Sequence, residues 1–100
     1  MMYKNNLRVI PKLRSQNLRE LRMNSNQIAR IPSGVFLETP NLSELILDEN
    51  VLTTVGIRND SFAGLTSLER LSLISNRLTE LPENLPSSLQ ELFLSSNQVI

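Results

Sequence analysis

The hundred residues predict an α/β-type solenoid of mostly short parallel strands joined by extended or short helical returns, curved and without caps. Three observations carry this expectation. One pattern recurs four times in register: L-R-E-L-R-M-N-S-N-Q-I from Leu18, L-S-E-L-I-L-D-E-N-V-L from Leu42, L-E-R-L-S-L-I-S-N-R-L from Leu68 and L-Q-E-L-F-L-S-S-N-Q-V from Leu89. Inside each copy apolar residues alternate with others, Leu21 with Met23, Leu45 with Leu47, Leu71 with Leu73 and Leu92 with Leu94. That is the period of a strand and not of a helix. An asparagine stands three places further on, and from Asn5 through Asn26, Asn50 and Asn76 to Asn97 the intervals are 21, 24, 26 and 21 residues. Such intervals fit one short strand and one return segment per unit.

In chain order, residues 1–17 read as a partial repeat, because Asn5, Leu7, Ile10 and Pro11 follow the spacing of Asn26, Ile28, Ile31 and Pro32, with Met2 in the place of Met23. Repeats follow at 18–41, 42–67 and 68–88, and a second partial repeat closes a single domain at 89–100. Long returns carry a phenylalanine six residues before the next strand leucine, Phe36 before Leu42 and Phe62 before Leu68. The return after Leu78 uses Pro82 and Pro86 instead, and these enforce an extended path with no helix. The return after Leu7 has the same length but lacks the second proline, and its Leu13 lies one place off Leu85. Each asparagine falls where the chain must turn inward. Its amide both donates and accepts, so a buried stack of asparagines can satisfy the backbone groups that the turns leave open.

Composition removes whole classes of chemistry. With no cysteine and no histidine, thiolate nucleophiles, disulfides, imidazole or thiolate metal sites and Ser-His-Asp arrangements are excluded. No phosphate-binding loop occurs, and Asp48 and Glu49, adjacent on a strand, point to opposite faces and make no catalytic pair. No catalytic residue, metal or cofactor is expected. No window is long and apolar enough to span a bilayer, and the first residues carry no signal-length apolar run. Forty per cent hydrophobic residues with only four aromatics imply an aliphatic core. The net charge of zero hides two opposed halves: seven cations against Glu20 alone leave residues 1–30 at +6, and three arginines against nine acids leave the remainder at −6. Stacking turns that split into a dipole along the long axis.

The repeats as a class are identified as leucine-rich repeats over essentially the whole chain. Within that class, L-T-T-V-G-I-R-N-D-S-F-A-G-L from Leu52 and N-R-L-T-E-L-P-E-N-L-P-S-S-L-Q-E-L from Asn76 closely resemble the small leucine-rich proteoglycans, decorin-like in fold. The alternation of short and long units is also typical of that family. The resemblance implies a secreted protein of the extracellular matrix that binds collagen or other matrix proteins on its concave side, supports matrix assembly or cell adhesion, and catalyses nothing. The family's cysteine-rich and disulfide-bonded caps are absent, so the chain reads as a fragment or short isoform of a longer secreted protein. Exposed coil ends then imply marginal stability. The competing expectation is a receptor ectodomain or an intracellular scaffold, since the same coil serves all of these.

Candidate contact residues follow from the strand alternation. Side chains facing away from the leucines line the concave face: Glu20, Arg22 and Asn24 in one coil, Glu44, Ile46 and Asp48 in the next, then Arg70, Ser72 and Ile74, then Glu91, Phe93 and Ser95. The apolar members Ile46, Ile74 and Phe93 stand out as contact anchors. Arg19 and Arg22, on or beside a strand in the basic third, are the candidates for heparan sulfate, since clustered cations gain by releasing counterions from a polyanion. Nucleic acid is not expected, for no aromatic residues are interleaved with the cations. Two glycosylation sequons begin at Asn41 and Asn59, and chance alone gives about two in such a composition. Asn59, in a long return, is favoured over Asn41, which abuts a strand. Ser33-Gly34 lacks acidic neighbours for glycosaminoglycan attachment and reads as a turn.

Overall fold

A computed structural model describes residues 7–98, so the readings placed on Met2 and Asn5 lie outside the described residues. Four three-residue strands, β1 (Glu20–Arg22), β2 (Glu44–Ile46), β3 (Arg70–Ser72) and β4 (Glu91–Phe93), form one parallel sheet in chain order. Their register sets Leu21, Leu45, Leu71 and Leu92 in a single row. Each strand starts two residues after the leucine that opens its pattern, at Leu18, Leu42, Leu68 and Leu89. Parallel strands ordinarily need a long helical crossover. Here successive strands lie in stacked coils, so a return closes its own coil and need not climb over the sheet.

The strands are short because the residue before each asparagine turns left-handed: Ser25 and Glu49 at φ 58°, Ser75 and Ser96 at φ 59°. Such a conformation costs a non-glycine residue roughly 1–2 kcal/mol, so something must hold the turn. The asparagines do. Within its own coil each amide donates back to the carbonyl three residues earlier, Asn26 to Met23 at 2.9 Å, Asn50 to Leu47 at 2.9 Å, Asn76 to Leu73 at 3.1 Å and Asn97 to Leu94 at 3.0 Å. From Asn50 onward the same nitrogen also reaches the preceding coil, at Met23, Leu47 and Leu73 in turn. The Oδ1 atoms accept backbone N–H groups of that preceding coil, from Leu7, Ile28, Leu52 and Leu78. The stacked amides expected from the sequence are therefore a ladder that joins every coil to the one before it.

Leucine and isoleucine rows close the core behind the sheet. Leu21, Met23, Leu45, Leu47, Leu71 and Leu73 are buried from the strands, and Ile28, Leu52 and Leu78 are buried from the segments that follow the asparagines. Phe36 and Phe62 are 1% and 3% exposed, so each fills the wider space that a long return encloses. In the last coil Leu85, Leu89, Leu92 and Leu94 are only partly covered. The returns hold turns and one 3-10 helix at Thr54–Gly56, and among the described residues there is no α-helix. None of the helices described is long and apolar enough to cross a membrane. The stretch from Pro82 to Pro86 is free of helix. At Ser33-Gly34 the chain turns, with Gly34 at φ +66° and its carbonyl accepting from Leu37 N at 3.2 Å. That φ is the reason a glycine stands there.

Ser61 links two returns. Its fully buried hydroxyl donates to Ile31 O at 2.6 Å and accepts from Arg58 N at 2.7 Å. Ser61→Ala leaves both groups without that partner, and the expected loss is about 1–2 kcal/mol of unfolding free energy in urea. A change below about 0.5 kcal/mol would mean the hydroxyl contributes no more than an ordinary surface group.

Candidate functional site

The strand residues that face away from the leucines stand in three rows across the concave sheet. The first, fixed by the pairing register, runs Glu20, Glu44, Arg70, Glu91, and the second runs Arg22, Ile46, Ser72, Phe93. Two residues beyond lie Asn24, Asp48, Ile74 and Ser95. Alternate charges in the first two rows meet across the coils. Arg22 Nη2 lies 3.6 Å from Glu20 and 3.0 Å from Glu44, while Arg70 contacts Glu44 at 3.8 Å and Glu91 at 2.6 Å. Glu44, the least exposed of these carboxylates, is shared between both arginines. Exposed pairs of this kind are each worth about 0–1 kcal/mol, so they order the side chains more than they hold the fold. The Arg70 guanidinium is held above its ordinary pKa by its hydrogen bond to Glu91 and by that carboxylate's charge. Raised further, it stays charged across the physiological range, and the stabilisation tied to it would be lost only in strong alkali.

The face is acidic. Glu20, Glu44, Asp48 and Glu91 against Arg22 and Arg70 leave four negative charges opposed to two positive. Of the two polyanion candidates, Arg22 has its charge engaged by Glu20 and Glu44. Arg19 is exposed and takes part in no ion pair among the described residues, yet alone it makes no patch.

Exposure sorts the remaining contact candidates. Phe93 is 41% exposed at the edge strand β4, whereas Ile46 and Ile74 are half-buried. Ser72, expected to face a partner, is only 4% exposed. Its hydroxyl donates to Asp48 Oδ1 at 2.6 Å, and the same oxygen accepts from Ile74 N at 3.0 Å. Asp48 thus clamps the following coil. That role was invisible in the sequence, since the bonded groups lie 24 and 26 residues apart. Of the two sequons, Asn59 is exposed on its return, while Asn41 is half-buried and its Nδ2 donates to Gln16 O at 2.7 Å. Among the described residues no group of three or more acids could hold a metal ion.

A family model described as leucine rich repeat matches residues 16–78. The chain belongs to the leucine-rich repeat family. Within it, the chain is 43% identical to mouse podocan, 37% to chicken keratocan and 40% to pig fibromodulin, in each case over 95% of this chain. These relatives are the small leucine-rich proteoglycans whose motifs the sequence resembles. The match spans 16% of podocan, 27% of keratocan and 63% of fibromodulin, so the chain covers less than two thirds of each relative. A rat leucine-rich repeat transmembrane protein, FLRT2, is 38% identical over 96% of the chain and 15% of its own length.

Proposed function

We propose that this leucine-rich repeat chain is a non-enzymatic interaction module of the extracellular matrix, which engages collagen or another matrix protein through its concave face. The observation that carries this reading is Phe93, an aromatic ring 41% exposed on a sheet face whose ion pairs already order the surrounding polar side chains. An aromatic anchor within an ordered polar surround is the usual form of a binding hot spot. Similarity to podocan, keratocan and fibromodulin supports a secreted setting, in which Asn59 is the position for a glycan and Asn41 is engaged by Gln16.

Solid-phase binding to fibrillar collagen tests the proposal. Phe93→Ala is expected to weaken binding about tenfold or more, whereas Leu81→Ala, on an exposed return away from the sheet, is expected to leave it unchanged. Equal binding by the two variants, or no binding by the unsubstituted chain, would overturn the reading. The likeness to a transmembrane relative favours a receptor ectodomain as the second reading. Saturable binding to cells without binding to collagen would decide for that alternative.

A further inference from the structure

We propose that the flank of the solenoid bearing Arg30 and Arg58 binds a sulfated polysaccharide, at a site separate from the concave face. The cations of this chain divide sharply. Lys12, Arg14, Arg22 and Arg70 sit against carboxylates, whereas Arg8, Arg19, Arg30, Arg58 and Arg77 are exposed and take part in no ion pair among the described residues; Arg8, Arg30 and Arg58 are the members of this second group on the flank. These three lie on the segments that follow the asparagines, one in each of three successive coils. Stacking brings them together: Ala29 N donates to Arg8 O at 3.3 Å, Val9 pairs with Arg30, and Ile31 pairs with Ile57 in parallel bridges.

The backbones that carry Arg30 and Arg58 are held firmly. Ile31 N donates to Gly56 O at 2.8 Å, and the buried Ser61 hydroxyl joins Ile31 O to Arg58 N. The Ile31–Ile57 pairing sets Arg30 beside Gly56 and Arg58 beside Pro32, so the two stems rise from neighbouring coils on a diagonal of about 7–8 Å. Both residues line an open pocket of about 270 Å³, together with Ser33, Val55 and Gly56. The pocket thus offers two guanidinium groups that form no ion pair among the described residues. Neutral neighbours surround them: Ser33 brings a hydroxyl, and Val55 is 84% exposed. On the far side of Arg58 a second pocket brings in Glu80 and Glu83, which ends the cationic strip there.

Unpaired cations on neighbouring coils suit a ligand whose anions also recur along a chain, and association then gains by counterion release. Guanidinium groups match oxyanions geometrically better than a lone ammonium does. No aromatic side chain lines the pocket to stack on a base, so nucleic acid is the poorer fit.

The test uses the full chain on immobilised heparin, eluted with a salt gradient. The unsubstituted chain is expected to be retained. The double variant Arg30→Gln/Arg58→Gln is expected to elute much earlier, with the slope of log affinity against log salt reduced by about two. Arg19→Gln/Arg22→Gln is expected to elute with the unsubstituted chain, and Arg30→Lys/Arg58→Lys to remain retained, which shows that charge and not disturbed folding is read. Flow-through of the unsubstituted chain would overturn the proposal. So would loss of retention in the Arg19/Arg22 variant with retention in the Arg30/Arg58 variant, or equal affinity for a single-stranded oligonucleotide of matched charge. Collagen binding by the Arg30/Arg58 variant is expected to be unchanged, which keeps this site distinct from the concave one.

Discussion

Asn50→Ala is expected to lower the unfolding free energy by about 2–4 kcal/mol, a large share of the 5–15 kcal/mol that folded domains possess. The substitution takes the acceptor from Ile28 N, which lies in the core and bonds Asn50 Oδ1 at 3.1 Å. Three carbonyls lose a donor as well, but Met23 O keeps Asn26, Leu47 O keeps Asn76 and Asp48 O keeps the N–H of Ser25. One buried group is thus fully orphaned and three are weakened. The left-handed turn at Glu49 loses its support at the same time.

Asn50→Asp separates the two halves of this argument. Its retained oxygen can still serve Ile28 N, but the other would face Met23 O and Leu47 O, which Nδ2 now contacts at 3.0 and 2.9 Å. An acceptor set against acceptors, and charged in a buried site, is worse than an empty one. At neutral pH the Asp variant is therefore expected to be less stable than the Ala variant. The sign with pH is defined: burial raises the carboxyl pKa in the folded state, so the penalty shrinks as pH falls through that value and the group regains a donor. Urea titrations followed by far-UV circular dichroism at pH 7 and pH 5 measure both effects. An Ala variant within about 1 kcal/mol of the unsubstituted chain, or an Asp variant more stable than it at pH 7, would remove the ladder from the account of stability.

Gly56→Ala is expected to cost about 2–3 kcal/mol, the range of an overpacked core. A Cβ at this position would collide with Ala29 O and sit 3.1 Å from Arg30 Cα. Both are backbone atoms of the neighbouring coil, so no side chain can swing aside. The second and third coils must part on this flank, stretching the bond from Ile31 N to Gly56 O. Val55→Ala, one residue away at an 84% exposed position, is expected to stay within about 0.5 kcal/mol. Thermal melting measures the difference. Amide exchange locates it: Ile31 should lose protection while Leu47 and Leu73, bonded to the strands at 2.9 Å, keep theirs. Equal melting of Gly56→Ala and Val55→Ala would refute the close approach.

The regular elements were legible because their information is local. Two alternating apolar residues and an asparagine three places on define the strand, its inward row and its turn without reference to any other coil. Asn26, Asn50, Asn76 and Asn97 therefore stand where the pattern puts them, and Phe36 and Phe62 fill their returns. The candidate site was legible only as a set of outward positions. Arg22 faces outward as expected, but two carboxylates claim its charge. Ser72 occupies the concave row and is covered, and Asp48 holds a neighbouring coil.

The sequence by itself determined the period, the parallel strands, the aliphatic rows and the asparagine stack, since each unit repeats a short rule that needs no distant partner. Tertiary structure alone decided which charges cancel, which outward residues are covered, and that Arg30 and Arg58 share a pocket beside a glycine against which another coil is pressed. The physical reason is the return. Its length differs from coil to coil, and that difference sets which residues, more than twenty apart in the chain, face one another.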